Sequence, residues 1–224
     1  FLVESDAIEG INNNYEAVLV QFLRAGRSKS NVLKGHVGAL LMLRKMASAS
    51  RKKFMNEKLV KLTQLFIVQE QHLKGERKLP IGQCGQWRTC NVEMIMRDIF
   101  GDVLWRKPIG PPWSNVPKKM LVLLNEVRSW QAGEKQNQSD SDRVIYIARF
   151  HYRYERIHPF IEGNGRSGRA LVYFLYRFSG LEPFIFTNAD KRENYYPCFG
   201  EKDSRRTEQY FLERSSDTRL GGFY

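Results

Sequence analysis

Apolar residues recur at helical spacing through most of the chain. Val32, Leu33, Val37, Leu40 and Leu41 form one stripe, after Ser30 and Asn31, which are suited to capping a helix N-terminus. Leu59, Leu62, Phe66 and Leu73 mark a second stripe over residues 56–73, and Met120, Leu124 and Val127 a third that starts just after Pro117. Val144, Ala148 and His151 line one face of residues 141–157, opened by Ser141 and Asp142. Leu171, Phe174, Leu175 and Phe178 make the last stripe, which stops at Ser179 and Gly180. Each stripe reads as a core-facing helix surface.

Two stretches break this rhythm. Residues 79–116 carry Pro80, Gly82, Gly85, Gly101, Pro108, Gly110, Pro111 and Pro112, too many breakers for a long helix. Within them, residues 86–90 (Gln-Trp-Arg-Thr-Cys) are expected to contribute to a short hairpin. Residues 133–141 (GEKQNQSDS) read as a polar surface loop. No repeat and no linker divides the chain, so a single, mainly α domain over residues 1–224 with one β-hairpin is expected.

Composition narrows the partners but does not name them. Hydrophobic residues make 42% and charged residues 27%, ordinary globular usage. No apolar run approaches membrane-spanning length, so no membrane partner is expected. The balance of 36 Lys and Arg against 24 Asp and Glu favours anionic partners. It is equally compatible with lysines and arginines that merely solvate helix surfaces. Cys84, Cys90 and Cys198 are scattered and match neither a zinc site nor a disulfide framework, which points to reduced thiols and a cytoplasmic setting.

Residues 158–169 carry the chemistry. Gly163, Asn164 and Gly165 form a turn that enters the last helix, where backbone N–H groups and the helix dipole favour an anion. Arg166 and Arg169, three apart, lie on neighbouring positions of one helix face and suit a chain of phosphates. Glu162 is an oxygen donor suited to Mg²⁺, which bridges substrate phosphates through one or two carboxylates. His158, at a helix end before Pro159, is placed to take a proton from an attacking hydroxyl. Singly, each residue could be a cap, a turn or a solvated side chain; their conjunction in twelve positions is what calls for a common explanation.

The string HPFIEGNGRSGR resembles the Fic-family signature HPFx[D/E]GN[G/K]RxxR at every specified position: His158, Pro159, Phe160, Glu162, Gly163, Asn164, Gly165, Arg166 and Arg169. The resemblance implies a Fic-type helical bundle with a short β-hairpin flap over the active site. It also implies a protein adenylyltransferase moving AMP from ATP to a Tyr, Ser or Thr hydroxyl of a target protein, with the chain itself among candidate targets. His158 would be the general base and Glu162 the Mg²⁺ ligand. Gly163, Asn164 and Gly165 would stabilise phosphate charge, with Arg166 on the β-phosphate and Arg169 on the γ-phosphate. Gly165 stands where Doc members, which resemble kinases, carry Lys. Tyr195 and Tyr196 resemble paired tyrosines that wall the nucleoside pocket, although aromatic core filling explains them equally well. Trp87, Arg88 and Thr89 fall where a target-docking flap is expected.

Near the other end, Ser5-Asp6-Ala7-Ile8-Glu9-Gly10 matches the family's inhibitory pattern [S/T]xxxE[G/N]. The resemblance then implies that residues 1–14 form an N-terminal inhibitory helix in which Glu9, with Ser5, takes Arg169 from the γ-phosphate. A homodimer gating that helix is a further expectation. Alternatives remain within the fold: transfer of UMP, phosphate or phosphocholine, removal of AMP from a target, or a non-catalytic nucleotide-binding module. Nucleic acid is expected as a partner only through an additional module.

Overall fold

In the computed structural model, which describes residue 8 and residues 35–48, 53–73, 79–98, 100–133 and 138–219, helix α1 (Gly35–Ser48) leads into α2 (Glu57–Leu73). Antiparallel strands β1 (Val92–Arg97) and β2 (Val103–Ile109) follow, then α3 (Val116–Ala132), α4 (Asp140–Ile157), α5 (Asn164–Ser179) and α6 (Arg205–Arg219). The architecture is the mainly helical one that the stripes predict, with a two-stranded antiparallel hairpin. Ser5, Glu9 and, apart from Ile8, the whole of residues 1–14 lie outside the described residues, as do the Ser30 and Asn31 cap and residues 134–137 of the polar loop.

Helix α5 lies at the centre and packs against α1, α2 and α4. Leu171, Phe174, Leu175 and Phe178 are all buried, each stabilising the fold by roughly 1.5–3 kcal/mol. Contact with three neighbours explains why burial extends beyond the predicted stripe to Ala170, Val172 and Tyr176. The helix ends at Gly180, whose left-handed φ of 81° closes it. Where α4 crosses α5, a Cβ on Gly168 would meet His151 Cε1 and Tyr154 Cδ1 at 3.1 Å and would clash with Glu155 Oε1. A bare backbone lets the two helices approach there.

Two helix starts differ by a residue or two from expectation. Helix α4 is capped by Ser139, two residues earlier than the expected Ser141. The Ser139 hydroxyl accepts from the Asp142 amide, and the Asp142 carboxylate accepts from the Ser139 amide, a reciprocal box that competes successfully with the later serine. Helix α3 includes Pro117 in its first turn, where a missing N–H leaves nothing unsatisfied.

The hairpin is also displaced. Strand β1 begins at Val92, paired with Ile109, and the ladder slips between Met96 and Arg97. Residues 86–90, expected within it, form the approach to the hairpin instead. The reason is Arg88: its backbone N–H donates to Pro159 O (2.9 Å), so the segment is tied to the loop after α4 and not to a strand. Met94, Leu104 and Trp105 are exposed on the hairpin.

Candidate active site

Helix α4 ends at His158, whose φ of 51° and ψ of 64° are left-handed, and the only positive φ of a residue with a side chain among those described. The His158 N–H still donates to Tyr154 O (3.0 Å), and Pro159 bars a further helical turn. Such a conformation costs on the order of 1–3 kcal/mol and persists only where surrounding structure enforces it. Arg88 supplies that enforcement. Its Nε donates to His158 O (2.8 Å), Nη1 to Cys90 O (2.9 Å) and Nη2 to Pro111 O (2.5 Å). Burial pushes the Arg88 guanidinium below its ordinary range, yet three carbonyls satisfy it. Trp87 packs against Phe160 with ring centroids 5.0 Å apart and planes tilted by 40°, anchoring the same loop from outside. Thr89 is exposed beside them.

The turn from His158 into α5 is stapled from within. Asn164 Oδ1 accepts from Phe160 N and Asn164 Nδ2 donates to Phe160 O, both at 2.9 Å. The Asn164 side chain is therefore spent on loop closure, leaving the backbone, as expected, to face an anion. Gly163, at φ 78°, caps the helix, and a Cβ there would meet Val68 Cγ1 at 2.7 Å. Gln64 of α2 clamps the loop through Nε2 to Glu162 O (3.0 Å), while its Oε1 accepts from the Gly85 amide (2.5 Å). Ser167 makes the first helical bond, donating to Gly163 O (2.9 Å). The amides before it, at the positive end of the dipole, have no intrahelical acceptor.

A cavity of about 1670 Å³ opens beside this turn, lined by His158, Gly165, Arg169, Tyr195 and Tyr196 among others. Lys107 and Pro108 of the hairpin, with Lys118 of α3, form another part of its wall. Five of the residues singled out in the sequence thus share one cavity, with basic side chains around it. Glu162 and Arg166 face each other nearby, Glu162 Oε1 standing 3.5 Å from Arg166 Nη2. Arg166 therefore turns toward Glu162.

Among the described residues, no cluster of three or more His, Cys, Asp or Glu could hold a metal by itself. A Mg²⁺ that takes one carboxylate and fills its other positions with phosphate oxygens and water makes no such demand. Half-buried Glu162, ahead of the anion-favouring turn, fits that requirement.

The two tyrosines part company. Tyr196 is 44% exposed, and its hydroxyl donates to Ile8 O (3.2 Å). Tyr195 is buried within the aromatic cluster of Phe186, Phe199 and Tyr210, the core-filling alternative, while its hydroxyl reaches toward Arg169. Gln64, His151 and Arg88's role as a strap were not legible as site features. A lone Gln or His inside an apolar stripe carries no signal until the loop it touches is known.

Known proteins share parts of this sequence and its fold. The chain is 31% identical over 80 residues to "Protein adenylyltransferase Fic" of Drosophila mojavensis, a stretch covering 36% of this chain and 16% of that protein. The chain thus matches only a small part of the curated relative. A Fic-domain-containing signaling protein from Bacteroides thetaiotaomicron shares the fold with a TM-score of 0.67 at 21% identity, over 95% of this chain and 79% of its own. The BepC protein of Bartonella tribocorum, solved with bound AMPPNP, aligns with a TM-score of 0.55 at 13% identity, over 89% of this chain and 85% of its own. The Fic/DOC family model matches residues 60–176, more than half of the chain and all of the loop just described, so this chain belongs to the Fic/DOC family.

Proposed function

We propose that this chain is a protein adenylyltransferase that moves AMP from ATP to a hydroxyl of a target protein and is restrained by its own N-terminal glutamate. The observation that carries the reading is the convergence of His158, Gly165 and Arg169 on one cavity, with Glu162 on the adjoining loop. A base, an anion-binding helix start and a buried cation are the parts that phosphoryl-type transfer needs. Support comes from the adenylyltransferase named among its relatives and from the nucleotide analogue bound by BepC.

In this mechanism His158 accepts the proton of the attacking Tyr, Ser or Thr hydroxyl. The oxygen forms a bond to the α-phosphorus, the bond from that phosphorus to the pyrophosphate oxygen breaks, and pyrophosphate departs. Amides of residues 163–165 stabilise the growing charge, Arg166 holds the β-phosphate and Arg169 the γ-phosphate. Mg²⁺ held by Glu162 would neutralise phosphate charge and make pyrophosphate a better leaving group. Left-handed His158 costs backbone energy that the Arg88 strap offsets, which keeps the base pre-positioned.

Autoinhibition draws on Ile8, which is buried and accepts the hydroxyl of cavity-lining Tyr196. Glu9 is its neighbour in the chain. A carboxylate pairing with Arg169 would compete with the γ-phosphate and leave ATP misaligned. Pyrophosphate release in a lysate tests both parts. Glu9→Gly is expected to raise the rate at least tenfold, and His158→Ala to lower it by roughly 10²–10⁴-fold in either background. Equal release with and without Glu9 would remove the autoinhibition. Transfer of the γ-phosphoryl group to protein, leaving ADP and no pyrophosphate, would remove adenylyl transfer.

A further inference from the structure

We propose that Tyr195 and His151 act as a positioning pair that sets the Arg169 guanidinium for the terminal phosphate, a role for Tyr195 distinct from walling the nucleoside. The inference rests on the adenylyltransferase reading for the assignment of Arg169.

Tyr195 Oη sits between the two partners, 2.9 Å from His151 Nε2 and 3.4 Å from Arg169 Nη1, whose N–H donates to it. The guanidinium carbon also lies 5.7 Å from the Tyr195 ring centroid. All three side chains are buried. Packing alone explains neither polar group. A phenylalanine would fill the place of Tyr195 among Phe186, Phe199 and Tyr210, and an apolar side chain would fill that of His151 between Phe186, Phe199 and Phe211. A buried hydroxyl and a buried imidazole instead carry desolvation costs, and they meet each other and the arginine.

The pair is itself held in place. The Tyr195 and Asn194 amides both donate to Asp190 O at 3.1 Å, and the Asp190 carboxylate accepts from Arg214 and Tyr210 of α6. His151 stands on α4 beside Gly168, whose missing Cβ admits the imidazole toward α5. Burial first, and then the charge of Arg169, lower the His151 pKa to about 3. The imidazole therefore stays neutral near pH 7 and adds no repulsion against Arg169.

The test compares affinity for ATP with affinity for AMP, which lacks the terminal phosphates, by calorimetry with Mg²⁺ present. All chains carry Glu9→Gly so that Arg169 has one competing partner fewer. Tyr195→Phe and His151→Leu are each expected to weaken ATP binding roughly three- to tenfold while leaving AMP binding unchanged. The double variant should lose no more than either single one, because both act on the same contact. His151→Gln, which can donate or accept at the same hydroxyl, should recover ATP affinity. Unchanged AMP binding also shows that each variant is folded. If Arg169→Ala weakens ATP alone but Tyr195→Phe and His151→Leu leave it intact, or weaken ATP and AMP equally, the positioning pair is overturned. If Arg169→Ala fails to separate ATP from AMP, the phosphate assignment itself falls, and the pair with it.

Discussion

Two buried side chains, Arg88 and His151, set the behaviour of groups that the signature names. Arg88 donates to the carbonyls of His158, Cys90 and Pro111 from a site that is only 2% exposed. Arg88→Ala leaves those carbonyls without donors and releases a strained backbone, so a loss of about 3 kcal/mol in denaturant unfolding is expected. Catalytic rate should fall with nucleotide affinity nearly unchanged, since the strap acts on the base and not on the phosphates. His151 makes a different prediction. Its folded pKa of about 3 lies below the ordinary 6.5, so the unfolded chain binds the proton more readily between those values. Stability is therefore fully present above pH 6.5 and is lost as pH falls toward 3. Thermal unfolding followed from pH 7 to pH 4 should show a shallower acid limb for His151→Leu, by on the order of a few kcal/mol over the window. The signature residues stood out in the sequence because their types match one chemistry at fixed spacing. Arg88 was singled out from its place upstream, but its work proved to be internal, because a sequence position does not reveal which carbonyl a guanidinium reaches.

Elements were legible where a period was sustained. The apolar stripes of α2, α3, α4 and α5 anticipated their helices to within a few residues, since helix geometry forces burial at that spacing. The hairpin was misplaced because β1 and β2 are exposed on both faces along much of their length and so lack the alternation that marks a half-buried strand. Turn chemistry was more informative. Gly163 is required twice, by its left-handed φ and by Val68 of α2 where a Cβ would lie. Gly163→Ala should destabilise by about 2–3 kcal/mol, combining backbone strain with displacement of α2 from the start of α5. A titration with pyrophosphate should show weaker binding as well, because the same turn aims the amides. Wild-type affinity in a destabilised Gly163→Ala chain would separate the turn's structural part from anion binding.

Across the whole molecule, the site is assembled from distant parts of the chain. Helix α4 ends at His158, the proposed base, α5 begins with the anion-favouring turn, the hairpin and α3 wall the cavity, and α6 steadies Tyr195 through Asp190. Ile8 is buried and its carbonyl accepts from Tyr196, a residue of the cavity wall; Glu9 follows it in the sequence. In the proposed mechanism, the active site and its restraint share Arg169 as the contested group. The most direct measurement of the central claim is label transfer to protein from ATP labelled at the α- or the γ-phosphate, using the Glu9→Gly chain with a lysate as the source of targets. The account predicts protein label from the α position alone, absent when His158→Ala is added. Label from the γ position alone, or α label that survives His158→Ala, would contradict it.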